Sequence, residues 1–213
     1  MLKVWGRASS SNVQCVMWCI AELGLDVQRT DAGLMYGVNK SAEYLEMNPN
    51  GTIPTVIDSD GPPLWESGAI LRYLANKYAS DPFWPSDLLQ RTNIDRWAEW
   101  SKVSLQMSFS SSIFWPIVRT PPGEANTGQI KTAIDNFEAR LKIADHKLAD
   151  HEFLTGPDFT LADIQFGHIL FRYYEIDIKR ATLDNVQRYY TMLTGRAHYQ
   201  SHVMISFDEL RPT

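Results

Sequence analysis

Leu2 to Trp5 reads as a short apolar strand, and after a polar loop Val13, Val16, Met17 and Ile20 recur at helical spacing until Gly24 supplies a C-terminal stop. The chain therefore opens strand, loop, helix. A second strand is predicted over Asp26 to Thr30, a short helix over Ser41 to Met47 and a third strand over Thr52 to Ile57, with Gly61-Pro62-Pro63 turning into a brief fourth. Ile70, Tyr73, Leu74 and Tyr78 mark a further helix. This order predicts a compact α/β unit with one mixed four-stranded sheet over residues 1–80.

Ser80-Asp81-Pro82-Phe83-Trp84-Pro85 breaks the periodicity and reads as a short, packed linker. Residues 86–213 then read as all-helical. One helix starts near Ser86, carries Ile94, Trp97, Ala98 and Leu105 inward and ends before Pro121-Pro122-Gly123. A second sets Ile130, Ile134, Phe137, Leu141, Ala144 and Leu148 in the stripe of a bundle helix. A third begins where Thr160 and Asp163 form a capping-box pattern, with Phe159 placed to staple onto Ile164. Leu183, Val186, Tyr190 and Leu193 define another, stopped by Gly195.

Composition narrows the classes. An apolar share of 44% with 12% aromatics in 213 residues fills real cores, so disorder is not the expectation. Net charge is -5 and the basic residues are scattered, which argues against a nucleic-acid partner. The longest apolar run, Cys15 to Ala21, is far short of the roughly 20 residues of a membrane helix, and the first residues read as a strand rather than a signal sequence. A cytoplasmic protein that does not engage the membrane is expected. Cys15 and Cys19, four apart on one helix, read as reduced core residues and not as a redox pair or disulfide.

Three places could carry chemistry. Ser9-Ser10-Ser11-Asn12 lies where a strand hands over to a helix; Ser11 with Gln14 fits a capping box, which leaves Ser10 among unpaired backbone N–H groups that favour an anion. In Asn48-Pro49-Asn50-Gly51-Thr52-Ile53-Pro54 a proline opens a strand, ordinarily a form of edge protection. Trp65-Glu66-Ser67-Gly68 puts acidic and hydroxyl groups at a helix start, ordinarily a cap.

In order and spacing these segments resemble the cytosolic glutathione transferases, in particular bacterial, serine-type members. The likeness runs from Gly6–Gln14 and Ala21–Leu25 through Asn48–Pro54 and Glu66–Leu74 to Thr160–Ile164. It implies a thioredoxin-like N-terminal domain over 1–80, an all-helical C-terminal domain over 86–213 and a homodimer. It also implies an enzyme with glutathione as co-substrate and no metal. Pro54 would be cis, with Ile53 presenting its backbone to the cysteinyl part, and Glu66 and Ser67 would take the γ-glutamyl end. Ser10 would activate the thiol, with Ser11 as its rival and Asn12 in support. A basic residue often stands where this chain has Gly51 and Thr52; Lys40 is the substitute, with Asn39 or a backbone group behind it.

The electrophile pocket implied by the resemblance lies between the domains, with Met107, Phe109, Phe114, Trp115 and Val118 as candidates; each also reads as ordinary core. The expected activity is transfer of the thiol to a small hydrophobic electrophile. A glutathione-dependent disulfide reductase, a dehalogenase or isomerase, and a non-catalytic binding protein on the same scaffold are the alternatives.

Overall fold

The computed structural model describes residues 1–121 and 123–212; Pro122, in the predicted helix-ending Pro121-Pro122-Gly123, lies outside them. Strand β1 (Leu2–Trp5) buries Leu2 and Val4 and exposes Lys3, the period-two alternation of a strand covered on one face. It pairs in parallel with β2 (Val27–Thr30), which it reaches through helix α1 (Ser11–Glu22), and antiparallel with β3 (Thr55–Asp58). β4 (Leu64–Trp65) completes a mixed sheet in the order β2-β1-β3-β4. The short helix α2 (Ala42–Met47) and helix α3 (Ser67–Tyr78) complete the first part of the chain. The third strand starts at Thr55 and not at the predicted Thr52, because the residues before it form an irregular turn ending in the cis Ile53-Pro54 bond.

The linker is packed, as its composition predicts. Trp84 is buried and donates its indole N–H to Asn76 at 2.9 Å, and the Asp81-Pro82 bond is also cis. Helix α4 (Leu88–Trp100) then continues without a break through two π stretches, Ser101–Gln106 and Ser110–Phe114, to Val118, so that one rod covers 88–118. Helices α5 (Thr127–Leu148), α6 (Leu161–Glu175), α7 (Asp184–Thr194) and α8 (Ala197–His202) follow, and a 3-10 turn, Asp208–Leu210, closes the fold.

Two helices explain how the parts are joined. α1 is buried at every position from Val13 to Ile20, a helix apolar nearly all round because α3 lies against one side and α6 and α8 against the other. α6 is buried from Leu161 to Tyr173. A Cβ on its Gly167 would come within 2.5 Å of the Leu193 methyl and 3.1 Å of Trp18, so any larger residue there must push those side chains aside. α6 starts at the predicted capping box: Asp163 accepts from the Thr160 N–H at 2.8 Å and its hydroxyl at 3.0 Å. Phe159 packs on Trp18, Phe83 and Phe153.

Candidate active site

The turn from β1 into α1 is the first part of the site. Ser10 is the N-cap of α1: its carbonyl accepts from the N–H groups of Val13 at 2.9 Å and Gln14 at 2.8 Å, while its hydroxyl makes no cap hydrogen bond. The predicted Ser11–Gln14 capping box does not form. Gln14 turns inward and is buried, and neither of its side-chain polar atoms has a partner among the described residues. Ser10 is therefore a nearly buried hydroxyl, 7% exposed, at a helix N-terminus and without a capping duty.

Asn12 faces elsewhere. Its Oδ1 accepts from Ser67 Oγ at 3.1 Å, Lys102 Nζ at 2.9 Å and Gln106 Nε2 at 2.7 Å. Lys102 also donates to Ser67 Oγ at 2.7 Å, and Gln165 donates to Gln106 at 3.1 Å. This chain of polar groups ties α1, α3, α4 and α6 together. Lys102 and Gln106 both lie in the first π stretch, a local widening of the helix that recurs at functional sites. Sequence reasoning passed over both; a lysine and a glutamine four apart beside the apolar Leu105 were the available signal.

Glu66 and Ser67 sit at the start of α3. Glu66 is exposed and held at φ 67, a left-handed conformation that costs a non-glycine residue energy. Ser67 is 2% exposed and begins the helix, close to its free N–H groups. Ile53 lies two residues before the ladder starts at Thr55, and the turn around it is fixed from below. Tyr44 donates to the Thr52 carbonyl at 2.6 Å, Asn48 donates to the same carbonyl at 3.0 Å and to Thr55 Oγ1 at 3.1 Å. Gly51 has φ +59, and a Cβ on it would lie 2.8 Å from Lys40 Nζ, so the Lys40 ammonium stands directly over Gly51. Asn39 donates to the Gly51 carbonyl at 2.7 Å.

The five electrophile-pocket candidates separate. Met107 is 60% exposed, whereas Phe109 and Phe114 are enclosed, Phe109 against Phe137 and Tyr173 and Phe114 against Phe207. Trp115 is half-buried beneath Arg119, whose guanidinium lies 3.9 Å from its ring centroid. Val118 lines a cleft of about 900 Å3 with Ile117, Ile130, Ile134 and Ile178, and Ser10, Ile53 and Glu66 are not among its walls. Cys15 and Cys19 are free and fully buried. Burial pushes the Cys15 thiol up to about 11 and the Cys19 thiol further still. Among the described residues there is no group of three metal-ligating side chains, and no helix is long and apolar enough to cross a membrane.

Residues 1–76 match the family of the glutathione S-transferase N-terminal domain and residues 107–197 that of the C-terminal domain. Glutathione S-transferase GstB of Escherichia coli K12 is 32% identical over 206 residues, 96% of this chain and 99% of that protein. The crystal structure of the theta class glutathione S-transferase of Xanthomonas axonopodis pv. citri with glutathione bound superposes with a TM-score of 0.90 at 36% identity, over 96% of this chain and 98% of that one. Elongation factor 1-gamma of Prunus avium is 30% identical over 168 residues, 76% of this chain and 38% of that longer protein. With its mixed sheet, its helical bundle and these likenesses, the chain belongs to the glutathione S-transferase family.

Proposed function

We propose that this chain is a glutathione transferase that ionises the thiol of bound glutathione at Ser10 and delivers it to a small electrophile. Residues 1–80 form the glutathione-binding domain and 86–213 the helical domain that completes the electrophile site. The observation that carries the reading is the Ser10 hydroxyl, nearly buried at the N-terminus of α1 and free of capping. A thiol with a pKa near 8.5 is only about 3% ionised at pH 7, and lowering it by two units, about 2.7 kcal/mol, makes most of it nucleophilic. A hydrogen bond to the sulfur together with the partial positive charge of the helix end supplies an effect of that size.

The rest of the tripeptide follows the chain's own polar groups. Ile53 offers its backbone to the cysteinyl part. Glu66 meets the α-amino group, and Ser67 with the N–H groups of α3 meets the γ-glutamyl carboxylate. Lys40, standing over Gly51, answers the glycyl carboxylate. No covalent enzyme intermediate is needed, and the high pKa of Cys15 speaks against disulfide reduction through a protein thiol.

A homodimer and a cytoplasmic location belong to the same reading. Exposed Leu88, Leu89 and Val103 on the long helical rod offer apolar surface to a second copy, and sedimentation tests it. The likeness to elongation factor 1-gamma keeps open a second reading, in which this fold serves binding or interaction instead of transfer. Retention on immobilised glutathione together with turnover of 1-chloro-2,4-dinitrobenzene supports the transferase. Rates no better than free glutathione would sink it, and consumption of hydroxyethyl disulfide would instead mark a reductase.

A further inference from the structure

The turn that carries Ser10 also carries a buried charge that forms no ion pair among the described residues. Arg7 is 7% exposed and Arg172, reaching across from α6, is 3% exposed, and the Nε of each lacks a partner among the described residues. Arg172 donates to the Ser9 carbonyl and lays its guanidinium 4.4 Å from the centre of Phe114. Neither arginine has an acid within ion-pairing distance among the described residues. Elsewhere in the fold the partly buried Arg29, Arg72 and Arg196 are each matched by a carboxylate, Asp31, Asp95 and Glu22. A buried cation without a partner carries a large desolvation cost that a bound anion would offset.

The surroundings point the same way. Arg172 feels the charge of Arg7, and Arg7 feels that of Arg119, at the rim over Trp115. Among the described residues the carboxylate that acts on Arg7 is Glu209, in the C-terminal 3-10 turn. Its oxygens accept from the hydroxyls of Ser9 and, at 3.0 Å, Tyr36. Arg7 thus answers to a carboxylate that is already engaged by two hydroxyls.

We propose that Arg7, Arg172 and Arg119 form an anion subsite beside Ser10, and that the electrophile taken by this chain is a small organic acid whose carboxylate docks there. Arg119 over the half-buried Trp115 gives such a molecule a charged contact and an apolar one together. The inference rests on the glutathione reading above. With 2-iodoacetate, the thiolate sulfur attacks the α-carbon, the C–S bond forms as the C–I bond breaks, and iodide leaves with the bonding pair. The thiol proton goes to solvent.

The test compares 2-iodoacetate with the neutral 2-iodoacetamide, each kcat/KM divided by the uncatalysed rate constant with free glutathione. The wild-type ratio is expected to favour the acid at least tenfold, and Arg7→Met and Arg119→Met to cut that preference at least fivefold. A wild-type ratio near one, or a preference that survives both substitutions, overturns the proposal. Arg119 is exposed, so its variant keeps a folded readout should Arg7→Met fail to fold. If neither reagent is turned over, turnover of 1-chloro-2,4-dinitrobenzene decides the transferase reading separately and thermal unfolding at fixed ionic strength decides the subsite on its own. It stands if propionate, and not propionamide, raises the midpoint in a manner that Arg119→Met cancels; it falls if the two additives act alike.

Discussion

Lys102, in the middle of the long rod, donates to Asn12 at the start of α1 over 2.9 Å, and the same ammonium reaches Ser67 at the start of α3. The helical domain thereby places a positive charge against the helix N-terminus where the γ-glutamyl carboxylate is proposed to bind. Lys102→Met should raise the KM for glutathione about tenfold with a smaller change in kcat, the scale of one charge-assisted hydrogen bond. An unchanged KM would take Lys102 out of the site.

Ser10 and Ser11 are adjacent but differ in duty, since Ser10 caps α1 with its carbonyl and keeps its hydroxyl free. Ser10→Ala should lower kcat/KM for 1-chloro-2,4-dinitrobenzene by about 10- to 100-fold and move the apparent thiol pKa of bound glutathione upward. Ser11→Ala should stay within about threefold of wild type. A pH–rate profile of both variants measures this, and equal losses would mean that the two hydroxyls share the sulfur.

Lys40 stands over Gly51 on the exposed side of the turn. An exposed cation contributes modestly and is screened by salt, so Lys40→Met should raise the KM for glutathione about three- to tenfold at low ionic strength. The difference should shrink in 0.5 M salt. Titrations at two salt concentrations check it, and a difference indifferent to salt points away from a charge contact.

Asp58, at the end of β3, accepts hydrogen bonds from Tyr73 at 2.7 Å, Lys77 at 2.6 Å and Tyr78 at 2.6 Å. Burial raises its pKa, but the hydrogen bonds from Lys77, Tyr78 and Tyr73 outweigh it and hold the carboxyl at about 2. A folded value below the unfolded one, near 3.9, means stability fully present above about pH 4 and lost as pH falls towards 2. Asp58→Asn should cost on the order of 1–2 kcal/mol at pH 7 and much less at pH 2.5. Urea unfolding at both values tests the sign; an equal cost at both would refute the linkage.

Sequence reasoning reached furthest where structure is local. The strand and helix order, the Thr160–Asp163 cap and the Gly24 stop depend on neighbours within a turn or two, and each stands where periodicity put it. The start of α1 did not, because Gln14 has a choice between capping and burial, and tertiary packing rather than local spacing puts it in the core. Lys102 and Gln106 were illegible for a related reason: they meet Asn12 across some ninety positions of chain, which no local spacing encodes. Phe109 and Phe114 show the reverse limit, for aromatic residues on a helix read alike whether they line a pocket or fill a core.

The burial of Cys15 and Cys19 has a chemical corollary. A protein proposed to gather alkylating agents keeps its own thiols within the buried helix α1, protonated and out of reach, so that the competent sulfur in the complex is the one it borrows. Self-inactivation is avoided by placement alone. A thiol count on the native chain should therefore be silent, and any loss of reactive sulfur during turnover can be assigned wholly to the tripeptide.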